Sequence, residues 1–124
     1  MTGTRLHERH CEPCTRDTPP LDRPQAEQLL ASLHADWTLA TDGSEISRTF
    51  TFGNYYQTMA FVNATAWISH REDHHPDITV GYNQCEVAYM THAIKGISEN
   101  DFICAAKIDA LFYLWANSPR SGKI

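Results

Sequence analysis

The chain has 124 residues, 42% of them hydrophobic and 20% charged, with 10 Lys+Arg against 15 Asp+Glu and a formal net charge of -5. That length suits one domain with one core, and the acidic balance excludes a sequence-independent grip on nucleic acid or an anionic membrane, leaving a small molecule or a protein as the expected partner. No apolar run approaches the roughly 18 residues of a membrane span. Residues 1–20 are too polar for a secretory leader, and a lone Cys11-x-x-Cys14 with single Cys85 and Cys104 fits free thiols in a reduced, cytoplasmic setting.

Residues 1–21 carry His7, His10, Cys11, Cys14 and Pro19-Pro20 without periodicity, so a flexible arm is expected. Its imidazoles and thiols are zinc-type ligands, but their spacing is too short for a standard finger. The domain is expected over 22–117, followed by a polar tail at 118–124. It opens with a helix capped by Asp22, with Pro24 in the first turn and Ala26, Leu29, Leu30 and Leu33 on one side. Trp37 and Leu39, then Ile46 to Phe52, read as a hairpin around Asp42-Gly43-Ser44, with Arg48 breaking the apolar face.

Asn54 caps a second helix whose expected core stripe is Met59, Phe61, Val62, Ala64, Ala66 and Ile68. Pro76 disfavours helical geometry at His75, so the helix must end near His74 and present both histidines at its rim. Ile78, Val80 and Tyr82, then Cys85, Val87, Tyr89 and Thr91, alternate as a second hairpin about Asn83-Gln84. Antiparallel pairing would return His92, at its far end, to the side of His74 and His75. Ser98 to Asp101 resembles a capping box, and Phe102, Ala105, Ile108, Phe112 and Trp115 form the stripe of a closing helix. The order α-β-β-α-β-β-α implies an α+β layer, a four-stranded antiparallel sheet with three helices on one face. Its other face is expected to pair with a second subunit, because Tyr89 and its neighbours are bulky for a wet surface.

His70, His74, His75 and His92 are four of the seven histidines. Imidazole, with an unperturbed pKa of about 6.5, is the side chain best suited to exchanging protons near neutrality and is also a common metal ligand. His70 and His74 stand one helical turn apart, and with Asp73 and His92 they offer a chelating set, although no HExxH pattern is present. At the residue level both chemistries stay open. Asp101 can be a capping residue or a pocket carboxylate, Trp37 a core residue or a stacking wall.

Taken together, Asp73-His74-His75-Pro76-Asp77, Tyr82-Asn83, Thr91-His92, and Asp101-Phe102 with Ala105-Ala106-Lys107 resemble the pterin-4a-carbinolamine dehydratase family, whose animal members also serve as dimerisation cofactor of a homeodomain transcription factor. The resemblance runs from about Trp37 to Leu111, and His10-Cys11-Glu12-Pro13-Cys14 is similar to a segment of some bacterial members. It implies dehydration of 4a-hydroxytetrahydrobiopterin to quinonoid dihydropterin and water, without metal or cofactor, in support of an aromatic amino acid hydroxylase. The alternatives it carries are a non-catalytic dimerisation module and a role in molybdopterin metabolism. It places His74, His75 and His92 as catalytic, and Trp37, Asp101, Asp73, His70 and Thr91 around the substrate, in a homodimer or homotetramer. Where the family often has an acid, four residues before the first histidine, this chain has His70.

Overall fold

Helix starts in this chain are set by side chains that satisfy the orphan N–H groups of the first turn. The computed structural model describes residues 5–117, so the expected polar tail lies outside the described residues. Asp22 accepts from the Gln25 N–H at the start of α1 (Arg23–Leu30), Asn54 from the Gln57 N–H at α2 (Tyr55–Glu72), and Ser98 from the Asn100 N–H at α3 (Glu99–Ala116). These are the three caps expected from sequence. Substituting such a residue by Ala costs typically about 1 kcal/mol.

The strands β1 (Thr38–Leu39), β2 (Ile46–Thr51), β3 (Asp77–Val80) and β4 (Gln84–Tyr89) form one antiparallel sheet in the order β1-β2-β4-β3. Two hairpins are thus joined through β2 and β4, with Phe50 opposite Cys85 and Arg48 opposite Val87. Ile46, Phe50, Cys85, Val87 and Tyr89 point into the core, where Phe50 meets Phe61 of α2 at 4.6 Å between ring centroids and Phe112 of α3 at 5.1 Å. The helices cover this face, as the alternating pattern implies. Tyr89 is a correction: it is fully buried beneath the helices and does not make the opposite face apolar. That opposite face carries Ser47, Thr49, Glu86 and Thr79. Among the described residues no helix is long and apolar enough to cross a membrane.

Two further departures have physical causes. In α2 the buried residues are Gln57, Thr58, Phe61 and Thr65, while Ala66 is exposed. Phe61, Val62 and Ile68 of the expected stripe do pack on the core, but the buried face is centred nearer Thr58 and Thr65; Thr58 Oγ1 donates to the Asn54 and Tyr82 carbonyls, whereas the buried Thr65 hydroxyl has no hydrogen-bond partner among the described residues. Second, the segment expected as a flexible arm lies against α2 and α3. The Cys11 N–H donates to Glu72 at 2.7 Å, and Asn100 both accepts from the Glu12 N–H at 3.0 Å and donates to the Glu12 carbonyl at 2.7 Å.

Candidate active site

The end of α2 decides where the histidines go. Asp73 adopts a left-handed conformation (φ 53°, ψ 43°), and both its N–H and that of His74 turn back onto the Ser69 carbonyl. Glycine is the usual residue for such a helix stop, Asp one of the few tolerable substitutes, at a cost of about 1 kcal/mol. The reversal points the chain inward at His74 and delivers Pro76 to the start of β3.

His74 Nε2 lies 2.6 Å from Asp101 Oδ1 in the first turn of α3, with the His74 side chain 12% exposed and Asp101 fully buried. Asp101 Oδ2 accepts from the Thr91 hydroxyl at 2.8 Å and from the Ser98 N–H at 2.9 Å. Proton directions upstream are constrained: the Asn100 N–H donates to Ser98 Oγ, so the Ser98 hydroxyl is free to donate to Thr91 Oγ1 at 2.7 Å, and Thr91 donates to Asp101. Every donor in this buried chain thus aims at one carboxylate, a fully satisfied network of the kind that fixes a single geometry. With the carboxylate acting as acceptor toward all three partners, the hydrogen-bond pattern assigns the His74 hydrogen to Nε2 and leaves Nδ1 without one. Asp101 is both a capping residue and a partner of His74, combining the two readings the sequence left open.

On its other side His74 stacks against Tyr89 (6.0 Å, 9° between planes), whose hydroxyl has no hydrogen-bond partner among the described residues and whose acidity burial suppresses, pushing its pKa well up. Across the entrance His75 and His92 are exposed and stack at 5.5 Å, so the 3-10 turn His92–Ile94 after β4 does return to the end of α2. The hairpin register, Asp77 opposite Ala88, produces that convergence.

These groups line a cleft of about 400 Å³, with Asp73, His74, His75, Thr91 and His92 on one side and Cys11 to Cys14 of the arm opposite. That volume lies in the range of small-molecule sites. A larger groove of about 1260 Å³ runs between α1 and the later turns of α3; its buried charges, Arg48 and Asp109, are paired at 2.7 Å, and although His7 and His34 also line it, the buried imidazole–carboxylate pair belongs to the smaller cleft.

Two expected site residues are not brought to the cleft. Trp37 is 3% exposed in the core, its indole N–H donating to Asp109 at 2.8 and 2.9 Å. His70 stacks on Trp67 at 5.8 Å on the outer side of α2. The chelating set considered from sequence is not assembled either, since His74 faces Asp101; among the described residues it is His75, Asp77 and His92 whose ligand atoms converge. What the sequence did not reveal is the arm wall and its anchor, Glu72. Buried Glu72 accepts from the Cys11 N–H, sits 3.0 Å from His10 Nδ1 and 3.7 Å from Lys107 Nζ. Desolvation pushes its carboxyl up, but the Cys11, His10 and Lys107 contacts prevail and hold it below the ordinary carboxylate range. Its position at the end of α2 is the available signal, but its partner lies 61 residues away.

Residues 19–111 match the profile of a family described as Pterin 4 alpha carbinolamine dehydratase. A Nitrosomonas europaea protein provisionally named pterin-4-alpha-carbinolamine dehydratase is 64% identical over 107 residues, covering 86% of this chain and 93% of that one. A similarly named Legionella pneumophila protein is 52% identical over 106 residues, 86% and 94% of the two chains. Among solved structures, a transcriptional coactivator/pterin dehydratase from Brucella melitensis superposes with TM-score 0.70 at 27% identity, covering 74% of this chain and 97% of that one. A pterin dehydratase-like protein identified as a RuBisCO assembly factor in the alpha-carboxysome gives 0.54 at 29% identity, over 63% and 90%. Cleft, fold and relatives agree, and the chain belongs to the pterin-4-alpha-carbinolamine dehydratase family.

Proposed function

We propose that the chain dehydrates a 4a-hydroxytetrahydropterin to the quinonoid dihydropterin, with tetrahydrobiopterin carbinolamine as substrate and recycling of the pterin for an aromatic amino acid hydroxylase as its purpose. The observation that carries this reading is the buried Asp101 aimed at His74 beneath a cleft whose entrance holds two more imidazoles. Hydroxide is a poor leaving group. A protonated imidazole that delivers its proton while the C4a–O bond breaks, as the N5 lone pair forms the C4a=N5 double bond, contributes on the order of a hundredfold or more. One proton enters with the departing hydroxyl and one leaves a ring nitrogen, so the balance is a single water.

In this reading His74 works from the floor and His92 from the rim, each protonating a hydroxyl on one face of the pterin, while His75 positions the ring. Asp101 orients His74 and supplies the charge opposite its protonated form, the part the carboxylate plays in a serine-protease triad. Asp73 and Thr91 contribute to substrate placement. A homodimer or homotetramer is the proposed assembly.

Replacing His74 and His92 together by alanine is expected to abolish turnover of synthetic 4a-hydroxytetrahydropterin, followed by the absorbance of the quinonoid product, while the molecular mass in solution stays that of the parent. Turnover surviving in the double variant would overturn the assignment. A second reading, a protein-binding module, is favoured by the resemblance to the carboxysomal assembly factor. It predicts that the double variant keeps its full biological role.

A further inference from the structure

Beside the proton-transfer dyad, the rim of the cleft carries a different donor set. One ligand atom from each of His75, Asp77 and His92 lies within 4.8 Å of the other two, and all three residues are exposed. Asp77 opens β3, so its backbone is fixed by pairing with Ala88. His92 begins the 3-10 turn behind Thr91, whose N–H and carbonyl are both tied to Gly96. Asp77 thus projects from the sheet, His92 from a turn tied to it and His75 from the link between α2 and β3, with one ligand atom of each converging. The only polar contact of the His75 ring among the described residues is a long 3.4 Å approach to the Pro76 carbonyl, and none is made by the Asp77 carboxylate or the His92 ring. These are donors without competing partners.

We propose that His75, Asp77 and His92 form a binding site for a divalent transition cation of the zinc type, and that an ion held there closes the pterin cleft. Two imidazoles and one carboxylate are the ligand chemistry of three-coordinate protein zinc sites that leave a fourth position for water. Zinc bonds of about 2.0–2.2 Å place tetrahedral ligand atoms about 3.4 Å apart. The present separations need to close by roughly an ångström, a rotation that two exposed imidazoles can make without moving backbone. His74 cannot join the set, because its Nε2 is committed to buried Asp101. His75 and His92 cannot coordinate a cation and also meet the pterin, so zinc and substrate exclude one another. The binding itself stands on the geometry alone; the inhibition rests on the dehydratase reading above.

The test separates the two. Titrating the full-length, metal-free chain with zinc alone in a calorimeter should give one saturable site per chain. Asp77→Asn, which leaves the proton-transfer groups untouched, should weaken that site by at least the roughly tenfold that losing even an outer-shell partner costs a metal site. Cys14→Ser should leave it unchanged, excluding capture by the Cys14 thiol that shares the cleft. With 4a-hydroxytetrahydropterin present, zinc should raise KM without lowering kcat. Asp77→Asn, with the parent's basal turnover, should need tenfold more zinc for the same effect. No saturable binding, or binding lost with Cys14→Ser instead of Asp77→Asn, overturns the site. Zinc binding at the predicted residues in a chain that never turns over the pterin would overturn the dehydratase reading and leave the metal site standing.

Discussion

At the scale of single residues, the carboxylate of Asp101 concentrates the chemistry, because its three hydrogen bonds fix which nitrogen of His74 carries the hydrogen. Asp101→Asn keeps the size and keeps one oxygen for the Ser98 N–H, but it turns the other oxygen into an N–H2 donor. Thr91 shares the retained oxygen with the Ser98 N–H, so it is His74 that faces a donor, and the cheapest relief is for His74 to move its hydrogen to Nδ1. We expect kcat to fall by about a hundredfold or more with KM changed less than about threefold, since Asp101 is fully buried and does not line the cleft. The unfolding midpoint should move little, because the cap is retained. A proportionate rise in KM instead would mean that Asp101 binds pterin and does not merely position His74.

Among the elements, the arm is joined to the ends of two helices by contacts that share one pH-sensitive carboxylate. Glu72 is held below its ordinary value of 4.5 by the Cys11 N–H, His10 and Lys107 against the opposing effect of desolvation. A carboxyl depressed in the folded state contributes stability that is fully present above the unfolded pKa and is lost as pH falls through the folded one. The arm contact should therefore be intact from neutrality down to about 4.5 and weaken below it, and the amide resonance of Cys11 should shift in that acid window. Glu72→Gln should shift it already at neutral pH; an amide indifferent to both changes would show that Glu72 does not hold the arm. The same segment shows where sequence reading stops. Caps, strand alternation and the stop before Pro76 were legible because each is written within a few neighbouring residues. The arm's partners, Glu72 and Asn100, lie 61 and 88 residues away, so no local period records them. The histidine convergence was legible because a hairpin of known register returns to its own start. The exclusion of Trp37 and His70 from the cleft was not, because a stripe of apolar residues does not say which helix will cover it.

Across the whole molecule, sheet and α3 are bolted together by a charge that the apolar pattern treats as an error. Arg48 sits at a core position of β2, 7% exposed, with its guanidinium 4.3 Å from the Phe50 ring centroid and 2.7 Å from Asp109 on α3. Trp37 brings the short strand β1 to the same carboxylate through its indole N–H. Asp109 thus collects β1, β2 and α3 about two turns further along α3 than Asp101, which ties β4 to α2 through His74 and Thr91, and the Tyr89 ring packs against both Trp37 and His74. Removing it strands a buried guanidinium and a buried indole donor together, and breaking a buried ion pair from one side costs about 3–5 kcal/mol. None of Arg48, Asp109 and Trp37 lines the cleft, so the loss should fall on stability far more than on chemistry. Asp109→Ala is therefore expected to lower the free energy of unfolding in urea by about 3 kcal/mol or more, while kcat and KM, measured well below the unfolding midpoint, stay within about twofold of the parent. Unchanged stability would mean that Arg48 finds solvent or Asp36, 3.9 Å away, as an adequate substitute. A kinetic loss without unfolding would place Trp37 in contact with the substrate after all.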